Sequence, residues 1–201
     1  MSTRHLRIGA SIVMTLVIAG SFAACVDPVH DAQITALGPE AAGVAPSEFH
    51  RAGQPCTVCH QASGPANTVF AVAGTIFYGP DKVIGAEGVQ VELVDSAGTY
   101  FTATTNCVGN FYVPPDVWNP AFPLLVQVQY PGQGSGATKM LGQISREGSC
   151  AGCHKDPANY DSPGHVHAMT TEPAKPFIDQ NCPVNPELYT AGTTAPAGAK
   201  L

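Results

Sequence analysis

The sequence predicts a mainly β protein: a small antiparallel β-sandwich flanked by two short helical segments, with irregular N- and C-terminal extensions. Three observations carry that prediction. Between residues 67 and 145, apolar residues alternate in short runs broken by turn signals. Glycine and proline are abundant, 21 and 18 of 201 residues, which suits short strands and turns better than long helices. The pentapeptide C-x-x-C-H occurs twice, once on each side of the alternating region.

The chain opens on a targeting segment, residues 1–24. Arg4, His5 and Arg7 give it a positive start, and Ile8 to Phe22 is apolar but too short for a secure membrane span. It ends Ser21-Phe22-Ala23-Ala24-Cys25. That run resembles the lipobox of bacterial lipoproteins, which implies cleavage before Cys25 and lipidation of its thiol. Val26 follows where an aspartate would favour inner-membrane retention, so the resemblance points to the outer membrane. Residues 25–46 are small, polar and punctuated by proline and glycine, and read as a tether between lipid and folded protein. The formal net charge of −6, with no basic patch, argues against a nucleic-acid partner.

Residues 47–66 form the first motif segment. Ser47 is a helix cap ahead of Glu48, and His50 lies on that turn. Pro55 opens the helix of Cys56-Thr57-Val58-Cys59-His60, and Gly64-Pro65 closes it. Neither piece is long enough to be stable alone.

The β region, residues 67–145, divides into six strands. Val69, Ala71, Ala73, Thr75 and Phe77 alternate as a half-buried strand does. Val89, Val91 and Leu93 follow, then Tyr100 to Thr104, Phe111 to Val113, Leu124 to Tyr130 and Thr138 to Ile144. Val72-Ala73-Gly74-Thr75-Ile76, Gly85-Ala86-Glu87-Gly88-Val89-Gln90-Val91-Glu92-Leu93 and Thr105-Asn106 with Gly109-Asn110-Phe111-Tyr112 resemble the carboxypeptidase regulatory-like domain. The resemblance implies a prealbumin-like sandwich that acts as a spacer or docking module without catalytic residues. Six up-and-down crossings would return the chain to its starting end, bringing the two motif segments together.

The second motif segment, residues 146–172, holds Cys150-Ala151-Gly152-Cys153-His154. Ser149 is its expected cap and Pro157 its stop. A proline-rich tail, residues 173–201, completes the chain.

C-x-x-C-H is the attachment signal for c-type haem. Its spacing puts two thiols and a histidine on one helical turn, the thiols toward the porphyrin vinyls and the histidine under iron. Two copies predict two haem c groups, held as thioethers by Cys56, Cys59, Cys150 and Cys153, with His60 and His154 as proximal iron ligands. Candidate distal ligands are His50, His165 and His167, ahead of His30, Met140 and Met169. The rival for the four thiols is a tetrahedral zinc site, which leaves the histidine after each pair unexplained. Thioredoxin-like chemistry would need a βαβ context. Of seven cysteines, Cys107 and Cys182 remain, and an exported chain would pair them.

The sequence therefore predicts a non-enzymatic, envelope-anchored di-haem c-type cytochrome that carries electrons by outer-sphere transfer. Its partners would be redox proteins of the cell envelope, with assembly into a longer haem chain as an extension. The rivals are a peroxidase-like enzyme or sensor with one open iron site, and a surface-binding β module with accessory haems.

Overall fold

The computed structural model describes residues 27–81, 84–131, 137–170, 179 and 181–184. The signal segment and Cys25 lie outside the described residues, as does most of the tail. Among the described residues no helix is long and apolar enough to cross a membrane. The chain divides into two units, residues 1–35 and 36–201.

The described part of the first unit is essentially helix α1, Pro28–Ala36. Asp27 starts it: its side chain accepts from the Val29 and His30 N–H groups, 3.1 Å each. Asp27-Pro28 is thus a helix start, an acceptor side chain followed by the ring that pre-sets the first helical φ. Within the expected tether, Pro28–Ala36 are thus helical, and His30, expected in solvent, is buried.

The second unit is mainly β, its described residues forming six strands in two antiparallel sheets. One sheet pairs β1 (Val72–Thr75) with β4 (Asn110–Val113). The other runs β3 (Tyr100–Thr104), β2 (Gln90–Val94), β5 (Leu125–Gln129), β6 (Thr138–Lys139). Val91 and Leu93 of β2 point inward, and Gln90, Glu92 and Val94 are half-exposed, as the alternation requires. They join Val72, Ile76, Tyr78, Val89, Phe111, Val113 and Leu124 in one core. Burial of that apolar surface stabilises the sandwich at roughly 25 cal/mol per Å².

Two expectations about the strands are corrected. β1 is buried on both faces rather than half-buried. Val72 and Gly74 face the core, where Gly74 lies against Cys150 and Phe111; on the opposite face Gly53 N–H of the first motif segment donates to Thr75 Oγ1 at 2.8 Å. A side chain at position 74 would put its Cβ 2.6 Å from Cys150 Sγ, so only glycine fits. Nor is the order up-and-down, since β1 skips β2 and β3 to pair with β4. The last strand is two residues long, and the predicted span to Ile144 survives only as a bridge between Leu124 and Ile144.

The turn between β3 and β4 is built by Thr105, Asn106 and Gly109. The Thr105 hydroxyl accepts from Val89 N–H at 2.9 Å and donates to the Ala86 carbonyl at 2.5 Å. Asn106 Oδ1 accepts from Val108 and Asn110 N–H, and Gly109 takes φ 79°. Cys107 of this turn is disulfide-bonded to Cys182, Cα–Cα 5.8 Å. Around the bridge a second apolar cluster forms, with Val44, Ala52 and Val108.

Candidate cofactor site

The first motif is a single 3-10 turn, Cys56–Val58, led by Pro55. His60 N–H closes one α-type bond to the Cys56 carbonyl at 2.9 Å, and no longer helix forms. The second motif is α2, Cys150–Cys153, with His154 N–H on the Cys150 carbonyl at 2.8 Å. Each motif thus wraps one turn and brings its histidine back over its first cysteine. The Ser149 hydroxyl does not cap α2; it is buried with no hydrogen bond to the helix N–H groups, and faces the Cys56 thiol. The Ser149 N–H instead donates to Glu147 Oε1 at 2.8 Å. The predicted helix at Ser47 is only a turn, in which the Ser47 hydroxyl accepts from Phe49 N–H at 3.3 Å.

The two motif histidines share one arrangement. His60 Nδ1 meets the Thr68 carbonyl at 2.9 Å, and His154 Nδ1 meets the Gly164 carbonyl at 2.9 Å. A carbonyl only accepts, so each Nδ1 carries the proton and each Nε2 keeps its lone pair. Metal-ligating histidines are held this way, with the second nitrogen donating to a carbonyl or carboxylate. Phe70 stacks on His60, ring centroids 4.1 Å apart and 14° from parallel, and fixes the plane of that ring.

The candidate distal histidines differ from one another. His167 Nδ1 donates to the Met169 carbonyl at 2.7 Å, repeating the motif pattern. His165 does not repeat it: Nδ1 faces Asp156 Oδ2 at 2.7 Å and Nε2 faces the Gly79 carbonyl at 2.9 Å. Both its nitrogens are engaged by acceptors, so in this arrangement neither is directed to a metal. His50 Nδ1 accepts from Ser47 N–H at 3.0 Å, so its ring proton sits on Nε2. Burial holds His50 below the usual histidine range, and the charges of His60 and Arg51 push the same way against Glu40. Met169 packs against the main core and Met140 follows the end of β6 half-buried.

A cleft of about 930 Å³ opens over the first motif. Cys56, Cys59 and His60 line it, and Phe70, Tyr112 and Pro114 are among its apolar lining residues. This is the size and character of a cofactor pocket. His50 and Arg51 stand at its polar side. Arg51 holds φ 51°, uncommon for a residue with a side chain, and its guanidinium donates to Glu40 (2.8 Å), Gln54 (2.8 Å) and the Gly38 carbonyl (3.0 Å). Asn106 and Asn110 fix this segment from the sandwich, donating to the Glu48 and His50 carbonyls.

The second motif packs along the edge of β1. Ala73 N–H donates to the Gly148 carbonyl at 2.9 Å and Phe77 N–H to the Val166 carbonyl at 2.9 Å, a parallel arrangement. Both motif segments therefore converge on β1. One leads into the strand and the other returns along its free edge, so crossing parity plays no part. The sulfurs of Cys56 and Cys150 are enclosed. Burial pushes the Cys56 thiol up to about 11 and the Cys150 thiol up to about 12. Cys153 is exposed. Among the described residues no three His, Cys, Asp or Glu side chains gather as a metal site.

Sequence reasoning missed Thr68, Phe70, Glu147 and Gly164. Thr68 and Gly164 act through backbone carbonyls, which leave no residue-type signal. Asn106 and Asn110 were legible as part of the turn pattern, though not as clamps on the motif segment. The chain matches no protein-family model, no curated protein and no solved structure.

Proposed function

We propose that the chain is a di-haem c-type cytochrome, anchored in a bacterial envelope through Cys25, that carries electrons by outer-sphere transfer. One observation carries the reading. Each C-x-x-C-H turn presents two thiols and a histidine whose Nδ1–H is donated to a carbonyl, leaving Nε2 free for iron. Cys56, Cys59 and His60 would hold one haem and Cys150, Cys153 and His154 the other. Covalently held haem iron supplies reversible one-electron chemistry.

The chain's own residues do the rest. Thr68 and Gly164 fix the tautomer of the proximal histidines, and Phe70 fixes one ring plane. Phe70, Tyr112 and Pro114 line the first site with apolar surface, which restricts water. His167 offers the free nitrogen of a sixth ligand. The sandwich, read as a carboxypeptidase regulatory-like module, holds both segments and serves as a spacer or docking module. Redox proteins of the envelope are the partners in this reading.

Pyridine-haemochrome analysis and low-temperature EPR of the purified protein test it. The expected result is two c-type haems per chain and low-spin iron. A count other than two overturns the assignment.

One observation favours a second reading. His50 stands in the cleft with its proton on Nε2, a hydrogen-bond donor rather than a ligand. A site with that donor and no second axial ligand would bind small molecules at iron, as a peroxidase-like enzyme or sensor does. High-spin iron that binds carbon monoxide would select it over pure electron transfer.

A further inference from the structure

The side chain that joins the two motif segments is Glu147. Its Oε1 accepts from the Thr57 hydroxyl at 2.6 Å and from the Ser149 N–H at 2.8 Å. Thr57 is the first variable residue of one motif, and Ser149 directly precedes the other. The Glu147 chain also lies over Gly152, where an added Cβ would meet its Cγ at 2.6 Å. Ser149 Oγ, buried without another partner, faces Cys56. Burial is the main reason both inner thiols are raised; the Glu147 charge adds to each, and the Cys56 charge adds at Cys150. The two attachment turns are thus neighbours held by one carboxylate.

We propose that Glu147 is a positioning residue that ties the two C-x-x-C-H turns into one coupled pair, so that the two irons interact rather than act as independent carriers. The inference rests on the di-haem reading above. Thr57 and Gly152 then have defined uses: a hydroxyl that meets the carboxylate, and an open surface that admits its stem. Glu147 is exposed on its outer side, so its own charge is partly screened by water and its bonds matter more than its field.

The test is EPR of the fully oxidised holoprotein with the haem count measured on the same sample. Wild type is expected to show interaction-broadened low-spin signals from two neighbouring ferric centres. Glu147→Ala loses that broadening and leaves two simple signals. Glu147→Gln retains it, because the amide oxygen still accepts from Thr57 and Ser149; it raises both midpoint potentials slightly through loss of a negative charge. Thr57→Val removes one tie at a half-buried position, keeps the charge and reduces the broadening, so it serves if Glu147→Ala folds poorly. Two magnetically isolated irons in the wild type, or unchanged broadening in both Glu147→Ala and Thr57→Val, overturn the coupled pair. A haem count other than two overturns the reading beneath it.

Discussion

The two C-x-x-C-H segments share a spacing and a histidine hydrogen-bond pattern but differ in their surroundings. The first lies beneath a cleft of about 930 Å³ and is pinned by side chains, Asn106, Asn110 and Thr75. The second is zipped to β1 by backbone hydrogen bonds, with Cys150 pressed on Gly74. Identical motifs can therefore be given different access to small molecules by what their flanking backbone pairs with. The first site is expected to be the adaptable one and the second the rigid one.

The strongest way to break this contrast removes one site at a time. Cys56→Ser with Cys59→Ser, and Cys150→Ser with Cys153→Ser, should each lower the haem count from two to one. If the contrast holds, carbon monoxide bound by the wild type is still bound when only the first site is left and is lost when only the second is left. Optical difference spectra decide it, and the reverse pattern would refute the contrast.

The next effect concerns the disulfide. Cys182→Ser should destabilise the protein by about 2–5 kcal/mol in denaturant unfolding. Because the bridge sits in the cluster of Val44, Ala52 and Val108, hydrogen exchange should rise first in residues 44–54 rather than near α2.

Gly74→Ala sharpens the other side. Its Cβ meets Cys150 Sγ at 2.6 Å and Phe111 at 3.1 Å, an overpacking cost of about 1–3 kcal/mol. Haem at the second site should fall while the first is retained. Asn110→Ala does the converse: it frees the His50 carbonyl and the Thr75 hydroxyl, costing about 1–2 kcal/mol and loosening only the first segment.

The smallest expected effect is on pH. Burial lowers His50 in the folded state, so unfolding takes up a proton. The associated stability is complete above the ordinary histidine value near 6.5 and declines as pH falls below it. His50→Gln should flatten the drop in Tm between pH 7 and pH 5; an unchanged slope would discard this role.

The legible part of the molecule was whatever repeats at a fixed period. Val91 and Leu93 announced β2, and the spacing of Cys, Cys and His announced the two turns. Thr105, Asn106 and Gly109 were legible because each residue type has one job in that turn. What failed was long-range. The burial of β1 on both faces depends on Gly53 and Cys150, 22 residues before Thr75 and 76 after Gly74, and alternation describes only one strand's own faces. Asp27-Pro28 was read as punctuation although it also satisfies the rule for a helix start, since the following residues carry weak amphipathic periodicity. Among the distal histidines, sequence spacing offered His167 for the first site and His165 for the second; the partners Asp156 and Gly79 set His165 apart.

The covered edge of β1 bears on how such a chain matures. Before residues 148–168 return, β1 would present an open row of N–H and C=O groups, the kind of edge that recruits a neighbouring chain. The same stretch contains the second attachment turn. A chain whose second turn is misplaced would expose a template for aggregation, whereas one that docks it closes that template from within. Pairing of the β1 edge and placement of the second C-x-x-C-H turn thus depend on the same twenty-one residues.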